Sequence, residues 1–255
     1  MKNYFDLTGR VALITGGSSG LGVQFAKALA SQGADIALCA RRMNRLEEVK
    51  KEIEKAGSKC YIHKCDVTKT DEIAATVKDT VDHYGKLDIL VNNAGMLIDT
   101  DAADISNDDW HKIIETNLNQ VYFFSREAAK YMIPAHYGRI INLGSIHSTV
   151  SMTGLHLSAY GTTKGGVLML TKSLANEWAK TGVTVNAIGP AYFSSEMTSK
   201  ALAEGGMDDL IKSYCPMGRI GKPGELDTAI IYFASEYSSY TTGQLLQVDG
   251  GWTTI

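Results

Sequence analysis

From Val11 to Val248, short apolar β-leaning runs alternate with longer stretches of helical periodicity, and this rhythm restricts the fold more than any other feature. The runs fall near 11–15, 35–39, 60–64, 88–92, 139–143, 183–188 and 245–248. Helices are expected between them, near 20–32, 42–56, 70–84, 108–133, 158–180 and 222–235. A helix between two strands carries the chain back along the sheet, so successive strands run parallel. Such a sheet is wound right-handed and covered on both faces. The expected fold is therefore α/β: a doubly wound, seven-stranded parallel sheet flanked by helices.

The first run, Val11-Ala12-Leu13-Ile14, leads into Thr15-Gly16-Gly17-Ser18-Ser19-Gly20-Leu21-Gly22. Phe25, Ala26, Leu29 and Ala30 then recur at helical steps, and Gly33 ends the pattern. Strand, glycine turn and helix in this order bring the N–H groups of a helix start against a phosphate, with the helix dipole in support. This is the context that dinucleotide binding demands.

At 255 residues, with 44% hydrophobic and 21% charged, residues 1–255 suit one domain with a substantial core. No linker or repeat divides them. The segment from about 190 to 221 lacks strand periodicity and holds Gly205-Gly206, Met197, Met207 and Met217, which predicts a hinged flap. Ligands of such sheets lie beyond the carboxyl ends of the strands, where a flap after the sixth strand could close. The net charge is −3 without a Lys/Arg cluster, which argues against a nucleic-acid partner. No stretch is long enough to span a bilayer and Met1–Asp6 is unlike a signal peptide, so a cytoplasmic protein without membrane contact is expected. Cys39, Cys60, Cys65 and Cys215 form no C-x-x-C pair. All four are expected as reduced thiols, Cys60 and Cys65 facing opposite sides of a strand, with no metal site.

Tyr160 and Lys164 are four residues apart in a predicted helix and so share a face. A cation beside a phenol favours the phenolate and lowers its pKa from about 10 towards neutrality. A tyrosine so tuned exchanges a proton with an alcohol or a carbonyl. Ser145 stands fifteen positions upstream of Tyr160, and Ser148 competes with it.

These motifs together resemble the short-chain dehydrogenase/reductase family, in its branch of about 250 residues, with its Rossmann-type fold. Thr15-Gly16-x-x-x-Gly20-x-Gly22 resembles its cofactor turn, and Asn92-Asn93-Ala94-Gly95 its NNAG segment. Asp66-Val67 resembles the pair that meets adenine, and Val248-Asp249-Gly250-Gly251 the C-terminal signature. The resemblance implies a tetrad of Asn117, Ser145, Tyr160 and Lys164. In it Tyr160 is acid or base, Ser145 hydrogen-bonds the carbonyl, Lys164 tunes Tyr160 and holds the nicotinamide ribose, and Asn117 orders a water. Asn117 could instead be a helix-kink residue bonding backbone.

The implied cofactor contacts are Gly16, Ser18, Ser19, Gly20, Leu21, Gly22, Arg41, Arg42, Asp66, Val67, Asn93, Ala94, Gly95, Tyr160, Lys164, Pro190, Phe193 and Ser195. Preference for NADP(H) over NAD(H) follows from the end of the second strand. A carboxylate there would accept the ribose hydroxyls; this chain has Ala40 followed by Arg41, whose guanidinium can bind a 2′-phosphate, and Arg42 in support. The chain departs from the family at Pro190-Ala191, where Pro-Gly is usual, and in a Ser145–Tyr160 interval about two residues longer than the commonest form.

The expected substrate pocket comprises Met96, His147, Leu155, His156, Tyr192 and Met197. Overall the chain looks most similar to gluconate 5-dehydrogenase-like reductases. This implies NADP(H)-dependent interconversion of a secondary alcohol and a ketone, on a keto-sugar acid or polyol such as 5-ketogluconate. The apolar lining equally suits a hydroxysteroid or other bulky alicyclic ketone, and a non-catalytic NADP-binding sensor is a third reading. The family resemblance further implies a homotetramer, with a dimer left open, in which the helices near 108–133 and 158–180 pair and the segment near Trp252 offers apolar surface.

Overall fold

The computed structural model describes residues 3–193 and 207–254. In chain order the first half contains β1 (Val11–Thr15), α1 (Gly20–Ser31), β2 (Asp35–Ala40), α2 (Met43–Lys55), β3 (Cys60–Lys64), α3 (Thr70–Tyr84) and β4 (Ile89–Asn92). Then follow α4 (Asn107–Ile114), a π-helical turn (Glu115–Asn119), α5 (Gln120–Met132), β5 (Gly138–Leu143), α6 (Ser158–Trp178), β6 (Val183–Pro190), α7 (Met207–Tyr214), α8 (Asp227–Ala234) and β7 (Leu245–Val248). All strands are parallel, in the order β3-β2-β1-β4-β5-β6-β7. The Rossmann-type sheet expected from the rhythm is the one found, and its order reverses between β1 and β4.

Alternate residues of each strand serve opposite faces. Ala12 and Ile14 pack with Phe25 and Leu29 of α1, Leu46 of α2 and Phe233 of α8, whereas Leu13 packs with Val77 of α3, Phe124 of α5 and Leu174 of α6. Both faces are dry, which is why the strands read as continuous apolar runs. The cysteines obey the same parity: Cys60 lies in the first layer, Cys39 and Cys65 in the second, and all four thiols are free and buried.

Three expectations change. The helix expected over 108–133 is divided by the π-helical turn around Asn117. The helix expected over 222–235 begins only at Asp227, because Gly224 has φ +90° and the Glu225 carboxylate accepts bonds from Arg219 and from the Lys222 N–H. Trp252, expected to offer surface, is buried, with its ring 5.2 Å from that of Tyr192 and 6.0 Å from that of Tyr214. Of the segment near 190–221, α7 and a backbone bridge between Phe193 and Gly221 are described; Ser195 and Met197 lie outside the described residues. No helix among the described residues is long and apolar enough to cross a membrane.

Candidate active site

The ends of β1 and β4 are stapled at the point where the strand order reverses. Thr15 Oγ1 accepts the N–H groups of Asn93 (3.0 Å) and Ala94 (2.9 Å), while Asn93 Nδ2 donates to the Thr15 carbonyl (2.9 Å). Gly22 is compelled here: a Cβ on it would lie 2.4 Å from the Gly16 carbonyl oxygen and 2.7 Å from Asn93 Nδ2. Gly16 and Gly20 close the turn with φ of +66° and +54°, where side chains are strained. Leu21 anchors α1 on the first core layer.

Two basic residues stand at the rim of this turn. Arg42 donates to Ser19 Oγ at 2.9 Å and Ser18 Oγ at 3.4 Å. Arg41 is exposed and acts on Asp66 instead. Burial pushes the Asp66 carboxyl up, but hydrogen bonds from Thr68 and the nearby Arg41 charge outweigh it and hold it below its ordinary value. Val67 packs on the second core layer. The emphasis on Arg41 thus shifts: Arg42 is the cation that the fold lays on the glycine turn. Two guanidiniums, two serine hydroxyls and the N-terminus of α1, with Ala40 where a carboxylate could stand, form a donor set that fits a phosphorylated ribose and the pyrophosphate of a dinucleotide.

Ser145 directly follows the end of β5 and Gly144, and caps a short 3₁₀ turn, Ile146–Ser148: its Oγ accepts the His147 N–H, and Ser148 Oγ accepts the Ser145 N–H. Ser148 is therefore a structural partner, and Ser145 is the hydroxyl of the two that acts on the Tyr160 phenol, favouring its ionised form. Lys164 lies one turn along α6, its Nζ donating to the Leu143 carbonyl at 2.7 Å and standing 5.6 Å from the Tyr160 ring centroid. Burial holds the Lys164 ammonium down at about 8. The lowered phenol expected for Tyr160 is not found: burial raises its pKa, and the Ser145 hydroxyl only partly opposes this.

Asn117 holds the segment after β4. Its Oδ1 accepts the Met96 N–H and its Nδ2 donates to the Met96 carbonyl, both at 2.8 Å, with a further bond to Thr163 Oγ1 at 3.2 Å. Backbone bonding from a distorted helical turn is the alternative stated for this residue, and the structure shows those bonds. Asn117 nevertheless converges with Lys164 at Gly95, where a Cβ would lie 3.5 Å from Asn117 Oδ1 and 4.0 Å from Lys164 Nζ. Gln120 and Thr163, which the sequence reading passed over, complete the clamp; Gln120 donates to the Ala94 carbonyl at 3.2 Å. No local signal marks them, because their partners are distant in the chain.

Around this group the expected pocket residues separate. His147 is buried, packed edge-on to Tyr160 with ring centroids 6.0 Å apart. Tyr192 hydrogen-bonds Met152 Sδ; burial, with the charge of a nearby ionised Tyr160 adding to it, pushes its phenol up to about 12. Leu155 packs with Met152, Ile211 and Trp252. His156 is instead an exposed residue of the rim, within 3.3 Å of Asp99 and 3.9 Å of Asp101. Pro190 ends β6 in register with Val248. Phe193 is buried in the first core layer with its ring so close to Gly221 that a Cβ there would lie 2.2 Å from it.

The family model described as enoyl-(acyl carrier protein) reductase matches residues 16–253. The gluconate 5-dehydrogenase of Gluconobacter oxydans is 36% identical over 98% of this chain and 97% of its own. The 2-dehydro-3-deoxy-D-gluconate 5-dehydrogenase of Escherichia coli is 37% identical over 97% of each. A crystal structure of a gluconate 5-dehydrogenase from Burkholderia cenocepacia, in complex with NADP and tartrate, superposes with a TM-score of 0.94 at 33% identity, covering 99% of this chain and 98% of that one. The chain belongs to the short-chain dehydrogenase/reductase family. It is an oxidoreductase of that family, and the relatives named here are dehydrogenases acting on CH–OH groups.

Proposed function

We propose that the protein interconverts a secondary alcohol and a ketone with NADP(H) in preference to NAD(H), on a keto-sugar acid or polyol such as 5-ketogluconate. The observation that carries this reading is buried Lys164 one helical turn from Tyr160 on α6, its Nζ held at the end of β5 by the Leu143 carbonyl, two residues before Ser145. The three whole-length likenesses, each to an enzyme named for a gluconate or a deoxygluconate, support the substrate class.

NADP(H), when bound, would supply or accept the hydride; Arg41, Arg42, Ser18 and Ser19 would hold its 2′-phosphate, and the start of α1 would meet its pyrophosphate. Ser145 Oγ accepts the His147 N–H through one lone pair, and its hydroxyl proton would donate to the substrate oxygen. Tyr160, raised by burial, stays protonated around neutral pH and gives its proton to that oxygen as charge develops; a phenol so poised favours ketone reduction. Lys164 holds its ammonium beneath the site, and Asn117 fixes the loop that walls it. Residues 1–255 act as one domain, with the segment near 190–221, including Ser195 and Met197, as its substrate flap. Exposed Met169 on α6 and Tyr122 and Tyr131 on α5 are apolar faces on which a homotetramer would pair.

Loss of NADPH absorbance is measured with 5-ketogluconate, other keto-sugar acids and steroid ketones, and repeated with NADH. Reduction of a keto-sugar acid with NADPH is expected, and Tyr160→Phe should slow it by about 100-fold or more without loss of NADPH binding. A Tyr160→Phe rate near that of the parent would overturn the mechanism, and turnover of steroid ketones alone would overturn the substrate class.

A further inference from the structure

The His147 imidazole is placed beside the reacting groups, and none of the steps above uses it. Only 8% of its surface is exposed. Its backbone N–H is tied to Ser145 Oγ at 3.2 Å, and its ring packs edge-on against Tyr160 at 6.0 Å and 78°. Nδ1 lies 3.3 Å from the Val150 carbonyl oxygen. A carbonyl oxygen can only accept, so Nδ1 carries the proton. Burial also lowers the imidazole pKa, with the Val150 carbonyl partly opposing, so the ring is neutral near pH 7. In a neutral imidazole protonated at Nδ1, Nε2 is a bare acceptor. No hydrogen bond joins Nε2 to any described residue.

Nε2 is thus an open acceptor on a ring packed against Tyr160, and such an acceptor is suited to a donor on the substrate. A carboxylate or a second carbonyl would meet only lone-pair repulsion there. An aliphatic carbon would leave Nε2 unsatisfied. We propose that His147 is a specificity-determining residue that accepts a hydrogen bond from a substrate hydroxyl on the carbon next to the reacting carbonyl, so that the site selects α-hydroxy ketones over simple ketones. This rests on the reading of Ser145 and Tyr160 as the carbonyl-binding pair, and it deepens that reading by naming the group recognised beside the carbonyl. It also places the substrate's carboxylate away from His147, towards the rim.

The test compares 2-hydroxycyclohexanone with cyclohexanone in the parent protein, in His147→Leu and in His147→Gln, whose amide oxygen restores an acceptor. The parent should favour the hydroxylated ketone in kcat/KM by about 10- to 100-fold. His147→Leu should erase that ratio chiefly through KM of the hydroxylated ketone, and His147→Gln should recover part of it. Binding is read separately, as the thermal shift given by 1,2-cyclohexanediol and by cyclohexanol in the presence of NADP. If the parent reduces no ketone, the catalytic reading fails, and the diol-over-monool shift, present in the parent and absent in His147→Leu, still supports the hydroxyl site. Equal discrimination in the parent and in a folded His147→Leu overturns the proposal, as does a parent that discriminates neither pair. If His147→Leu does not fold, His147→Gln decides: retained preference supports the acceptor role, and its complete loss in a folded protein overturns it.

Discussion

Lys164 is a cation enclosed by protein, with one carbonyl partner at 2.7 Å, and the cost of its charge is therefore visible in stability. Burial holds it at about 8, against 10.5 for the unhindered group. Between those values the unfolded chain binds more protons than the folded one, so unfolding free energy rises with pH. The penalty for burying the ammonium is complete below about pH 8 and gone above about pH 10.5, a change on the order of 3 kcal/mol. Compared with Lys164→Met, the parent should gain that stability between about pH 7.5 and pH 10.5 in denaturant titrations. A difference between the two that does not vary with pH would show that Lys164 is not strained by burial. At this scale much was legible: Tyr160 and Lys164 announce themselves by spacing, and Ser145 by its place after a strand. The direction of the Tyr160 shift was not, because it depends on how deeply its hydroxyl end is enclosed. Nor was the bonding of Arg42, rather than Arg41, to Ser18 and Ser19, since neighbouring residues diverge in direction according to where a helix begins.

The π-helical turn at 115–119 is the element whose geometry most directly serves the site. One residue more per turn sets Asn117 against Met96, so a side chain of one helix replaces the missing strand partners of the segment leaving β4. Asn117→Ala would leave the Met96 N–H and carbonyl without those partners, at a cost of about 1–3 kcal/mol in unfolding free energy. Hydrogen exchange should then accelerate selectively at Met96, and unchanged protection there would show that the clamp is not what holds the loop. Apolar periodicity predicts one helix over this stretch because a single π turn barely disturbs the pattern of buried residues. The helix expected from residue 222 starts later because Gly224, at φ +90°, and the Arg219–Glu225 pair hold the backbone out of helix until Asp227.

At the scale of the whole molecule, α5 and α6 bury one flank on the sheet and turn Tyr122, Tyr131 and Met169 outward, Met169 with 62% of its surface exposed. If the proposed tetramer forms through these helices, Met169→Glu should shift sedimentation towards a smaller species while leaving the fold intact; an unchanged distribution would exclude that face. The same sheet carries a buried polar ladder in which Asn92 Nδ2 donates to Asn142 Oδ1 and Asn142 Nδ2 to Thr171 Oγ1, each at 2.9 Å, tying β4, β5 and α6 together beneath the site. By itself the sequence determined the succession of strands and helices, the glycine turn and the register of Tyr160 with Lys164. These depend on periodicity and steric freedom within a few residues. Only the tertiary structure decided that Thr15 meets Asn93 across 78 residues, that Arg42 reaches Ser19, and that Asn117 rather than a strand secures Met96. Such contacts follow from which strands become neighbours and how deeply each side chain is enclosed, and hydrophobic period carries neither.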